Sequence, residues 1–278
     1  MMSILNKSLN LFKKKLFYFI FIDGLFFISL FILLNYSRNK IQSYLKLIQQ
    51  YIPQLDVVQS LLRESTTLEN LEQSNLLLEK ISSVMNEALF FGYLIIPLSI
   101  FILWVVFQGL SYKLISENNF SKILDYKFFM KFLILTLPFF IILTFAIFQF
   151  LAMFSDLIPY YGGIFNPTFM LFVITLGPLI LFYFLFIFYS LLNNNSLLKT
   201  LKKGFLIAIK KIYFLFPLYL GYLTIFILFL VAFLNNFVFY IGNFNAFSII
   251  NLVITIVLLI IYSYYRTLFS SFSSSFSS

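Results

Sequence analysis

The sequence predicts an all-α polytopic membrane protein with six transmembrane helices in three parallel hairpins, plus an extracytoplasmic helical hairpin. Three observations predict it. First, 62% of the residues are apolar, only 10% are charged, and the mean hydropathy is +0.98. No soluble domain needs that much apolar surface. Second, six apolar runs stand at 16–34, 89–109, 132–154, 169–192, 212–234 and 247–265. Each is near the ~20 residues a helix needs to cross a hydrocarbon core. They are apolar all round, whereas barrel strands would alternate. Third, the cations are segregated. Lys7, Lys13, Lys14, Lys15, Lys113, Lys122, Lys127, Lys131, Lys199, Lys202, Lys203, Lys210, Lys211 and Arg266 all fall on one side of a six-span topology with the amino end inside. The two short outer loops, 155–168 and 235–248, hold neither Lys nor Arg. That asymmetry obeys the positive-inside rule and places both termini in the cytoplasm of a cell-membrane protein.

Taken in order, residues 1–15 form a basic cytoplasmic amino terminus, and the transmembrane domain occupies 16–265. The start resembles a signal peptide, but the apolar run is too long for one and no pair of small residues follows it. The first span contains Asp23, the one carboxylate inside a predicted span. An intramembrane acid marks a functional site by default. The plainer reading has Asp23 facing the bundle and bonded by Gln, Thr or Asn of another span, or neutralised by Lys13 to Lys15. On that reading Asp23→Asn is mild.

Residues 36–87 form the extracytoplasmic insertion. Ile41, Leu45, Ile48, Ile52 and Leu55 make one helical stripe, interrupted by Pro53. Thr66-Thr67-Leu68-Glu69 reads as a capping box opening a second helix. Leu71, Leu78, Ile81, Met85 and Ala88 renew the stripe on the way to the second span. The two helices pair as an antiparallel hairpin with nearly balanced charge. That balance favours a protein partner, either a second copy or another membrane protein, with Leu68, Leu71 and Leu78 as the partner surface.

Two polar connections read as short interfacial helices. Residues 117–131 place Phe120, Leu124 and Phe128 on one side. After Asn193-Asn194-Asn195-Ser196, Leu198, Leu201, Phe205 and Ala208 share a face, and Lys199, Lys202 and Lys203 crowd the other. Those lysines are candidates for contact with the lipid bilayer. Residues 266–278 read as a Ser/Phe tail of low complexity that forms no core alone.

An internal repeat organises the second half. Shifted by 79 residues, Lys131 falls on Lys210, Pro138 on Pro217, Tyr161 on Tyr240, Gly163 on Gly242 and Asn166 on Asn245. The scarce Lys, Pro and Gly set this register, which Phe, Leu and Ile alone could match by chance. Pro97-Leu98 matches Pro178-Leu179 in a more divergent first copy. Three parallel hairpins are shared with mitochondrial carriers, but the charged pair after the odd-span prolines is missing here, and that family is set aside. The segment Leu-Lys-Thr-Leu-Lys-Lys-Gly-Phe-Leu-Ile-Ala-Ile-Lys-Lys before Ile212 and Tyr213 resembles the six-span membrane domain beside glycerophosphodiester phosphodiesterases, and uncharacterised prokaryotic six-span proteins. The resemblance implies the fold of roughly the last two-thirds of the chain and, with no catalytic domain attached, no activity.

Chemistry is sparse. Cys and His are absent, which removes thiol and His-based nucleophiles, disulfides and the usual zinc sets. The spans hold no cluster of carboxylates for a metal-assisted reaction. No cofactor, metal site, catalytic residue or nucleic-acid partner is expected, and the chain is not read as an enzyme. It reads as a non-catalytic scaffold or membrane-organising protein. The alternative is a transporter or permease subunit for a small solute, with Asp23, Gln149 and Asn251 lining a path and Asp23 as the coupling site.

Overall fold

The structure, a computed structural model, describes residues 2–64, 67–117, 124–154, 167–238 and 246–276. No strand occurs among them. Eight α-helices follow in order: α1 Met2–Glu64, α2 Leu68–Phe90, α3 Ile96–Ser116, α4 Tyr126–Phe154, α5 Pro167–Leu191, α6 Leu197–Lys210, α7 Ile212–Val238 and α8 Ala246–Ser275. A π-helical turn, Phe91–Ile95, joins α2 to α3 just before Pro97, and a 3₁₀ turn, Leu192–Asn194, follows α5. Five helical stretches among the described residues are long and apolar enough to cross a membrane: Ile4–Arg63, Leu68–Ser116, Tyr126–Ala146, Ile212–Phe233 and Val253–Ser275. In α5 a shorter apolar stretch runs over Leu176–Leu191.

By packing, the chain divides into two units, Met1–Phe26 with Trp104–Ser278, and Phe27–Leu103. In the larger unit α5 is the common neighbour, packing on α4, α6 and α8, while α7 pairs with α8. The core is aromatic. Tyr189 stacks on Phe132 at 4.1 Å between centroids, Phe186 meets Tyr222 edge-on at 5.2 Å, and Tyr222 stacks on Tyr262 at 5.1 Å. Two glycines admit rings to a helix backbone. A Cβ on Gly109 would sit 2.8 Å from Phe129, and one on Gly204 only 2.3 Å from Phe188.

The smaller unit departs from the sequence reading in three ways. Pro53 does not interrupt the helix, because α1 runs on to Glu64 with Leu55 half-buried and Val58 buried beyond it. The α2 cap is Thr67, its hydroxyl accepting the Asn70 backbone amide at 3.4 Å, so that Asn70 and not Glu69 stands at the third position of the helix. The buried stripe is also rotated. On α1 the covered positions are Ser37, Tyr44, Ile48, Tyr51, Leu55, Val58 and Leu62, while Ile41, Leu45 and Ile52 are exposed. On α2 they are Asn70, Ser74, Leu77, Ile81, Val84 and Ala88, leading to Phe91, while Leu71, Leu78 and Met85 are exposed. Both stripes keep the alternating 3–4 spacing of a coiled-coil seam. Phe91 closes one end, its ring edge against Tyr36 and Tyr44.

Two further expectations change. Phe128 and Lys131 belong to the first turns of the long α4, with Phe128 buried, so no separate interfacial helix includes them. Phe120 lies outside the described residues. The Ser/Phe tail is helix to Ser275, and Arg266, Thr267, Phe269, Ser270, Phe272 and Ser273 are buried. Of the repeat, Tyr161, Gly163 and Asn166 with their counterparts Tyr240, Gly242 and Asn245 lie outside the described residues.

Candidate functional site

Asp23 is 0% exposed and Arg266 1%. The guanidinium grips the carboxylate through both oxygens, Nη1 donating to Oδ1 at 2.6 Å and Nη2 to Oδ2 at 2.9 Å. Ser263 Oγ also donates to Oδ2, and Ser111 Oγ to Oδ1 at 3.3 Å. Gln108 Oε1 accepts a second bond from Nη1 at 3.3 Å. The rings of Phe19 and Tyr262 each have their centroid 5.7 Å from the guanidinium carbon.

Helix periodicity assembles this group. Phe19 and Asp23 are one turn apart on α1, Gln108 and Ser111 on α3, and Ser263 and Arg266 on α8. Three helices thus contribute adjacent residues to one place. The carboxylate receives four donors, close to its full acceptor capacity. Arg266 Nε and Gln108 Nε2 are the donors of this group left without a hydrogen-bond partner among the described residues. Next to this group, the Tyr222 hydroxyl donates to that of Tyr262 at 2.8 Å.

A second polar chain ties α3, α4 and α5. Thr136 Oγ1 lies 2.6 Å from the Phe132 carbonyl, to which it donates, and 2.8 Å from Tyr189 Oη. Having spent its proton, the threonine accepts from Tyr189. Tyr189 in turn accepts the Trp104 indole N–H at 3.3 Å.

Lysines secure the far end of α3. Lys15 Nζ donates to the carbonyls of Leu114, at 2.7 Å, and Glu117, satisfying acceptors that a helix terminus leaves open. Lys113, although buried, reaches Asn193 Oδ1 at 2.7 Å and Asp125 Oδ2 at 3.4 Å. Partial desolvation of Asp125 opposes its ionisation. The hydrogen bond and charge of Lys113, with the Lys127 amide, outweigh it and hold the carboxyl below the usual range. Lys131 Nζ donates to the Asn195 carbonyl at 3.2 Å.

The other sequence-predicted residues stand apart. Asn251 is on α8, twelve residues and roughly 18 Å along the helix from Ser263. Gln149 is on α4, thirteen residues and roughly 20 Å beyond Thr136. Their side chains lie outside the described residues. Leu68, Leu71 and Leu78 are exposed, Leu68 to 78%. Lys199, Lys202 and Lys203 are exposed on α6, where with Asn195 and Leu206 they line an open cavity. A second cavity, of about 10 Å³, is lined by Phe139, Leu143, Pro178, Leu181, Phe182 and Leu185. Neither includes Asp23. Among the described residues no three Asp or Glu side chains could share a metal ion. Sequence reasoning found Asp23 but missed Arg266, Ser263 and Ser111 as its partners, and Gln108 as the partner of Arg266. The only signal was that an isolated buried acid demands a cation. No protein-family model, curated protein or solved structure matches the chain.

Proposed function

We propose that this chain is a non-catalytic integral membrane protein that scaffolds a complex or organises the bilayer. The observation that carries the reading is the saturation of Asp23. A carboxylate gripped by Arg266 and two serines has no lone pair left for a travelling cation and no room for a proton while the pair stands. Its chemistry is that of a clamp between α1 and α8. In this reading α5 completes six spans, with α4 and α5, then α7 and α8, as the second and third hairpins. The 3–4 stripes of α1 and α2 support their pairing as an extracytoplasmic hairpin. The exposed Leu68, Leu71 and Leu78 flank that seam and serve a second copy or another membrane protein.

The transporter alternative requires Arg266 to release Asp23 during each cycle. Purified protein reconstituted in vesicles decides between them. The scaffold reading expects no proton- or sodium-coupled uptake from wild type or from Asp23→Leu/Arg266→Leu, a pairwise replacement that keeps volume and removes both charges. Ion-coupled uptake by wild type that the folded double variant lacks would overturn it.

A further inference from the structure

The helix α6 presents three different faces. Thr200, Gly204, Ile207 and Ala208 are buried. This face is held close to α5, where Phe188 occupies the space over Gly204 and the Tyr183 hydroxyl donates to the Ala208 carbonyl at 3.0 Å. At about 100° per residue, Leu198, Phe205 and Ile209 fall together on a second arc. They are exposed, Leu198 to 80%, and no charge interrupts them. The third arc, between these two, holds Lys199, Lys202 and Lys203 around Leu206. All three lysines fall within about one turn, so their ammonium groups can converge on one point. No acid occurs anywhere on α6.

We propose that the cavity of Asn195, Lys199, Lys202, Lys203 and Leu206 binds the phosphodiester headgroup of an anionic phospholipid, whose acyl chains lie along Leu198, Phe205 and Ile209. Charge complementarity selects the headgroup, since the lining is cationic and neutral only. The neighbouring apolar arc selects a lipid over a free anion. That arc leads directly into exposed Ile212 and Tyr213, where α7 begins its apolar run. The packed face of Thr200, Gly204, Ile207 and Ala208 makes the site a fixed one. A free amphipathic helix could roll; α6, pinned on α5, presents its lysines at one height. The inference rests on the reading of α6 as a helix at the bilayer surface.

The test uses full-length protein in nanodiscs of phosphatidylcholine and phosphatidylglycerol, with the lipids retained after mild detergent extraction counted by mass spectrometry. Wild type is expected to retain phosphatidylglycerol in excess over its share of the bilayer. Each of Lys199→Gln, Lys202→Gln and Lys203→Gln lowers that preference about fivefold, the contribution of one lysine at an anionic surface. These side chains are exposed, so the variants remain folded, which size-exclusion profiles verify. Leu198→Ser/Phe205→Ser/Ile209→Ser keeps the lysines and also loses the preference. Unchanged preference in the lysine variants overturns the proposal, as does displacement of the lipid by millimolar inorganic phosphate or retention of a protein in its place. Labelling of Lys199→Cys in the same nanodiscs separates the two levels. A surface-accessible thiol with no lipid preference sinks the headgroup site alone, while a thiol shielded from aqueous reagents sinks the interfacial placement itself.

Discussion

At the scale of single residues, Asp23 and Arg266 stabilise each other far more than either stabilises the fold. Removing one partner from a buried pair leaves a charge with no water and costs about 3–5 kcal/mol, whereas exchanging both for apolar residues is often neutral. Asp23→Asn is therefore not the mild change that the sequence alone suggests, because Arg266 stays behind uncompensated. Asp23→Asn and Arg266→Gln should each unfold at markedly lower temperature in detergent, and Asp23→Leu/Arg266→Leu near wild type. Three equal melting temperatures among these variants would mean the pair is solvated in the membrane-embedded protein. The acid was legible because it stood alone in an apolar run. The cation was not, since Arg266 sits where a terminal cytoplasmic anchor is expected and its partner is 243 residues away.

Elements were legible in kind and less so in phase. The 3–4 spacing on α1 and α2 is plain in the sequence, but following only Ile and Leu rotates the stripe by roughly 60°, at 100° per residue. Ser37, Tyr44 and Ser74 are the buried positions that an aliphatic pattern overlooks. Leu77→Ala should accordingly lower stability by about 2–5 kcal/mol, in the range of buried Leu truncations. Leu71→Ala, on the exposed flank, should stay within about 0.5 kcal/mol. Chemical denaturation followed by circular dichroism measures both, and equal losses would refute the rotated seam. The carboxy-terminal end of α8 was misread for a related reason. Serine looks polar, yet in a helix its hydroxyl returns to its own backbone. Ser273 donates to the Phe269 carbonyl at 2.9 Å and Thr267 to that of Ser263 at 2.9 Å, so they enter the interior already satisfied. Phe269 and Phe272 then supply ordinary core volume.

For the whole molecule, the same cations serve two purposes. Lys15, Lys113, Lys131 and Arg266 belong to the charge asymmetry from which the proposed orientation of the spans is read, and each also makes a specific bond within the larger unit. Composition reveals the first purpose, and only packing reveals the second. The predicted topology is open to test because the chain has no cysteine. Cysteine at Asn75, an exposed position on α2, should react with a membrane-impermeant maleimide from outside intact cells. A cysteine at Lys202 should react only after the membrane is opened. The reverse pattern would invert the topology.

The Asp23–Arg266 clamp also imposes an order in time. At roughly 5–20 residues per second, Asp23 leaves the ribosome about 10–50 s before Arg266 does. Through that interval the first helix carries an acid whose partner has not yet been made. The nascent chain must keep that acid near water or near another donor until α8 arrives. A chain released early, lacking α8, would carry an unmatched charge in its opening helix, and that defect distinguishes it from a finished molecule.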